Sequence, residues 1–125
     1  MDLSRFDTRE KSEAGVTVPL VINDEMVVGD DGEPVTFTIK GAADEKVQAH
    51  LMATGRDKHA TPKEAREVDM KLARLAVVGW SDNFAVEGDK LKFSAENIER
   101  VFANPVVRRA VLARIFSERL FTKGA

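Results

Sequence analysis

Residues 61–80, T-P-K-E-A-R-E-V-D-M-K-L-A-R-L-A-V-V-G-W, dictate more of the architecture than any other stretch of the chain. Thr61 carries the side-chain oxygen that an N-cap needs. Pro62 has its φ pre-set for the first helical position, and Glu64 completes a capping box. Ala65, Val68, Leu72, Leu75 and Ala76 recur at helical spacing, with Lys63, Glu67, Lys71 and Arg74 on the other side. Glu67 and Lys71 form an i,i+4 pair in the favourable order. Gly79 stands where a left-handed C-terminal cap is wanted. The pattern predicts a one-sided helix over 62–78 that delivers the only tryptophan, Trp80. A helix with one apolar stripe must bury it, so the rest of the chain has to supply a partner layer.

The preceding residues supply a β unit. From Gly15, the residues Val16, Val18, Leu20 and Ile22 alternate with Thr17, Pro19, Val21 and Asn23. This period of two is that of a strand, and Pro19 makes it an edge strand because proline cannot donate to a ladder. Residues 26–28 read as a short strand, and G-D-D-G at 29–32 as a turn. Val35, Phe37 and Ile39 then face one way and Thr36, Thr38 and Lys40 the other. Residues 1–14 are polar apart from Leu3 and Phe6 and are expected to form a flexible tail. Asp44 is placed to cap a helix over 44–55, and residues 55–60 read as a polar linker. Beyond Trp80, a loop leads to Ser94, which caps a helix over 95–103. Asn104-Pro105 starts a last helix over 105–120. The expected fold is α+β, a single domain over 15–125. In it a small antiparallel hairpin or three-stranded sheet (15–41) packs on about four helices.

A chain of 125 residues suits one domain with a core of its own. It has no cysteine, which rules out Cys-based zinc sites and nucleophiles and fits a reducing cytoplasm. The first ten residues hold no apolar run of the kind a secretion signal needs, and no segment approaches a membrane span. Charge is uneven. Residues 1–90 carry 12 basic and 18 acidic side chains, and residues 91–125 carry 7 and 3. The C-terminal part is thus mildly basic, either as a solvated surface or as a face for an acidic partner.

No motif for catalysis stands out. His50 and His59 are nine residues apart without other ligands in metal-binding spacing. Asp30, Asp31 and Glu33 surround Gly32 but lack the twelve-residue calcium pattern, so a plain turn is expected. No phosphate-cradling glycine motif occurs, and no serine sits in a G-x-S-x-G turn. Arg100, Arg108, Arg109, Arg114 and Arg119 invite a helix-turn-helix reading. Val106 and Val107, however, occupy the place of a polar, base-reading N-terminal face.

Four features in order resemble tail assembly chaperones of long-tailed, siphovirus-type bacteriophages. They are the acidic hairpin G-D-D-G-E-P-V-T-F-T-I-K-G, a charged helix after Gly41, a helix ending in V-V-G-W at Val77–Trp80, and K-L-K-F-S-A-E-N-I-E-R-V-F-A-N-P-V-V-R-R-A-V. The likeness runs from about Val16 to Phe121, with Ala42-Ala43-Asp44 departing from the Asp-Ser that many relatives carry there. It implies a non-enzymatic protein without cofactor or metal. The protein would bind the tape-measure protein in the host cytoplasm before the tail tube polymerises, and would be absent from the mature virion. The tail tube protein is a further expected partner, and self-association is expected; nucleic acid and membrane are not. The last helix is apolar over more than one stripe. Phe116, Leu120, Phe121 and Leu112, with Arg109, are the expected partner-binding residues. Two other readings stand beside this one: a structural tail or neck component of the virion, and a small DNA-binding regulator.

Overall fold

A computed structural model of the chain describes residues 2–55 and 61–123. The expected linker histidine, His59, lies outside them. The fold is α+β, with a three-stranded antiparallel sheet packed on helices. The strands are β1 (Val16–Pro19), β4 (Thr36–Ile39) and β5 (Val77–Trp80), in the order β1-β4-β5. Two short hairpins flank this sheet, β2 (Val21–Ile22) with β3 (Glu25–Met26) and β6 (Ala85–Val86) with β7 (Asp89–Lys90). The helices are α1 (Arg9–Ala14), α2 (Glu45–Thr54), α3 (Pro62–Ala76), α4 (Ala95–Phe102), α5 (Pro105–Ile115) and α6 (Glu118–Phe121).

β4 is the centre of the sheet because its alternation is the cleanest in the chain. Phe37 and Ile39 are buried, whereas Thr36 and Thr38 are half-exposed on the far face. Val18 and Trp80 lie opposite Phe37 on the two neighbouring strands. On the outer face the Thr17 and Thr38 hydroxyls are 2.9 Å apart. Phe37 meets Trp80, Phe84 and Phe102 edge-on, with ring centroids 5.6–5.9 Å apart. Such edge contacts add to the area that the rings bury. Trp80 also meets Phe93 at 4.9 Å and donates its Nε1–H to the Leu91 carbonyl at 2.8 Å. It thereby ties β5 to the segment that leads into α4.

The caps read from the sequence are formed. Thr61 Oγ1 accepts the Glu64 N–H, Asp44 Oδ2 the Val47 N–H, Ser94 Oγ the Asn97 N–H, and Asn104 Oδ1 the Val106 N–H. Each side chain satisfies one of the orphan donors of a helix start. Both hairpins turn through two residues at positive φ, Asn23-Asp24 and Glu87-Gly88. This is the geometry whose twist matches that of the paired strands.

The structure departs from several expectations. The helix over 62–78 ends at Ala76, and Val77–Trp80 is a strand. Gly79 is no left-handed cap; it sits opposite Thr38 in the ladder. Two β-branched valines and a tryptophan pair with the open side of β4, and strand pairing overrides the helical period. The last helix does not run to 120. The Ile115 carbonyl accepts the Ala42 N–H at 3.2 Å, and the Ser117 N–H turns back to Arg114. The helix therefore ends and α6 starts in a new direction. The N-terminal residues, expected as a flexible tail, hold regular structure. Leu3–Phe6 form a turn of 3-10 helix, and α1 follows and packs against α6. At the start of α3, Ala65 is exposed, so the apolar stripe engages the core only from Val68 onward.

Candidate partner-binding face

The five residues expected to bind a partner divide sharply. Leu112 and Phe121 are core residues, 6% and 2% exposed, and cannot offer a surface as the domain stands. Both were expected at the partner surface, and in this structure both are buried. Leu112 lies on the inner side of α5 with Val111 and Ile115, and the bend after Ile115 swings Phe121 beneath Gly41. Leu120 is half-buried. Phe116 and Arg109 are exposed, Phe116 by 54%.

The exposed pair belongs to a longer feature. Val106, Arg109, Ala113 and Phe116 are all exposed. Their spacing of three, four and three puts them on one side of a helix, over about 15 Å of its length at 1.5 Å per residue. Phe116 extends this row one residue past the end of α5, with its backbone still in the right-handed helical region. The row has a shallow hollow at each end. At one, Val106, Arg109 and Ala110 face the β2–β3 turn, with Val21, Ile22, Asn23 and Asp24 across a space of about 350 Å³. At the other, Phe116 borders a small cleft lined with Thr8, Ser12, Ala42, Ile115 and Phe121.

Two other arginines of this end are used differently. Arg100 pairs with Asp89 at 3.3 Å, and Arg108 donates to the Phe102 carbonyl at 2.8 Å. Arg74 on α3 pairs with Glu99 on α4, and the guanidinium holds the Glu99 carboxyl below its ordinary range. These contacts fasten helices together and leave Arg109 as the cation on the exposed row.

No family model, curated protein or solved structure matches this chain.

The remaining polar groups serve the fold. His50 is buried, with Nε2 3.0 Å from the Val68 carbonyl, and so joins α2 to α3. Beside it an open groove of about 640 Å³ runs between the two helices, with Ala49, Ala53, Val68 and Leu75 among its lining. A second groove, about 610 Å³, lies between the two hairpins and is walled by Ile22, Val27, Val86, Val101 and Val107. Asp31 accepts from Asn83 Nδ2 at 3.1 Å and from the Glu33 N–H at 3.0 Å. These bonds, Asn83 first, lower its carboxyl below the usual range. The acidic turn is thus latched to the loop after β5. Among the described residues no group of three or more His, Asp or Glu is placed to hold a metal, and no helix is long and apolar enough to cross a membrane.

The fit of Gly41 against Ser12 and Phe121 had no signal in the sequence. Gly41 reads only as a strand breaker, and Ser12 sits in a stretch with no apolar period. The exposed row on α5 was partly legible, because the helix carries more apolar residues than one stripe requires.

Proposed function

We propose that this protein is a non-catalytic tail assembly chaperone of a long-tailed bacteriophage that binds the tape-measure protein through the exposed row of α5. The observation that carries the reading is that row, Val106, Arg109, Ala113 and Phe116, left uncovered on a helix whose other side is core. A long helical partner can lay an apolar stripe along such a row, with Arg109 taking a carboxylate. The ordered motifs that resemble these chaperones support the same reading. Their serine and asparagine caps start the two helices that build this end of the domain. On this reading the protein acts in the host cytoplasm, self-associates, takes the tail tube protein as a further partner, and is left out of the finished particle.

Co-expression with the tape-measure protein of the same phage tests the reading. A soluble complex is expected, and Phe116→Asp is expected to weaken it at least tenfold while the circular dichroism spectrum stays unchanged. An insoluble tape measure with no complex would end the proposal. Recovery of the protein from purified virions at a ring copy number would favour a structural tail or neck component instead.

A further inference from the structure

The chain's own N-terminal segment walls one side of the cleft at the Phe116 end of the exposed row. α1 crosses Gly41 and Phe121 there, yet Ser12 is its only buried residue. The Ser12 hydroxyl is enclosed and has no hydrogen-bond partner. A buried polar atom left unpaired weakens the contact that encloses it. The larger apolar residues of the segment add nothing, since Leu3 and Phe6 are 71% and 52% exposed. Among the described residues, backbone bonds tie it down from Gly41 N–H to the Ser12 carbonyl at 3.1 Å and from Lys123 N–H to the Asp7 carbonyl at 3.0 Å. Lys123 and Glu10, both exposed, are 4.0 Å apart. Gly15, at φ +90°, lies between α1 and β1.

The surface beneath is more apolar than its cover. Ala42, Ala43, Ile115, Phe116 and Phe121 line it with Glu118 as the one charged residue, and Thr8 and Ser12 are contributed by the segment itself. Gly41 sets what can lie there. A Cβ on it would collide with Ser12 Oγ and stand 2.8 Å from the Phe121 ring. The crossing helix must therefore approach the backbone closely and carry a small residue at the Ser12 position. Alanine satisfies both demands and brings no hydroxyl to be left unpaired.

We propose that residues 7–14 are a displaceable strap over a docking cleft, and that the occupant which replaces them is a partner's amphipathic helical segment with alanine at the Ser12 position. The identity of that partner rests on the proposed function; the displacement of the strap does not. The cleft continues the exposed row, so a helix bound along α5 would reach it and compete with α1.

Two measurements on the full chain test this. In amide exchange the N–H groups of Gly41, Gly15 and Lys123 are expected to exchange together, at least tenfold faster than the adjacent Lys40 N–H, which bonds to Ala76. Ser12→Ala should slow that group several-fold and leave Lys40 unchanged. The second measurement uses a labelled synthetic peptide of residues 2–15 carrying Ser12→Ala. It should bind full-length Ser12→Glu protein at least tenfold more tightly than the wild type. If Gly41 and Lys40 exchange at one rate, or Ser12→Glu unfolds the domain, the segment is part of the core and the proposal is wrong. A folded Ser12→Glu protein that ignores the peptide overturns the docking cleft. Concentration-dependent dimers that trade the segment between copies would overturn the partner helix as occupant. If the peptide binds and tape-measure segments do not, the strap stands and the proposed function falls.

Discussion

The sheet centre at Phe37 and the corner at Gly41 are both buried, and they achieve it by opposite means. Around Phe37, side chains from β1, β5 and α4 converge with Phe84, and the neighbouring backbone is paired in the ladder. Around Gly41, burial comes from the absence of a side chain, which lets Ser12 and Phe121 approach the backbone directly. The first region is cohesive, because most of what it encloses is apolar and gains by being enclosed. The second is fitted rather than cohesive, because it encloses an unpaired hydroxyl. Enclosure alone therefore does not measure how tightly a segment is held.

The contrast can be broken at four points of decreasing size. Phe37→Ala removes the ring that three aromatic neighbours share and should cost about 3–5 kcal/mol in chemical denaturation. A loss below about 1.5 kcal/mol would mean that the aromatic cluster is not the centre of the core. Next, two glycines with opposite surroundings can be compared. Gly41→Ala should cost about 1–3 kcal/mol through overpacking. At Gly79 a Cβ would lie 3.7 Å from Thr38 Cβ, an ordinary contact, so Gly79→Ala should change stability by about 0.5 kcal/mol or less. Equal effects would erase the distinction between the two regions. Third, Glu87 holds φ +51° in its hairpin, a region that asparagine tolerates better. Glu87→Asn should therefore stabilise by about 0.5 kcal/mol, read as a rise in melting temperature.

The smallest effect concerns pH. The Arg74 hydrogen bond lowers the Glu99 pKa in the folded state, so the pair stabilises above the unfolded carboxyl pKa. That contribution disappears as pH falls through the folded value. Both side chains are about half exposed, and screening limits the pair to about 0.5 kcal/mol. Stability of Glu99→Gln should vary less than the wild type's between pH 6 and pH 3, and a steeper decline would contradict the assignment.

Local chemistry was the part of this fold that the sequence displayed. Thr61, Asp44, Ser94 and Asn104 are caps because a short oxygen-bearing side chain before an apolar period has few other uses. The alternation at Phe37 and Ile39 likewise marks a half-buried strand wherever it occurs. What stayed hidden was set by distant partners. Val77–Trp80 is a strand because β4 offers an open edge; the valines and the tryptophan suit a strand, but the edge they pair with lies far back in the chain. The end of α5 is decided by an amide at Ala42, far away in the chain. For the same reason the residues expected at the partner surface divide between exposed and buried positions. The apolar excess of the last helix was visible, but the bend that exposes Phe116 and buries Phe121 was not.

The place of β4 in the sheet bears on the order of events during synthesis. Its first neighbour, β1, has already left the ribosome when β4 emerges, and the two can pair at once. Its second neighbour waits, because Phe37 finds Trp80 only after α2 and α3 have been made. At about 5–20 residues per second, the far side of β4 stands open on the order of 2–9 s. During that interval the central strand of the sheet is an unguarded edge. Pairing with a second nascent chain is the hazard that this interval opens.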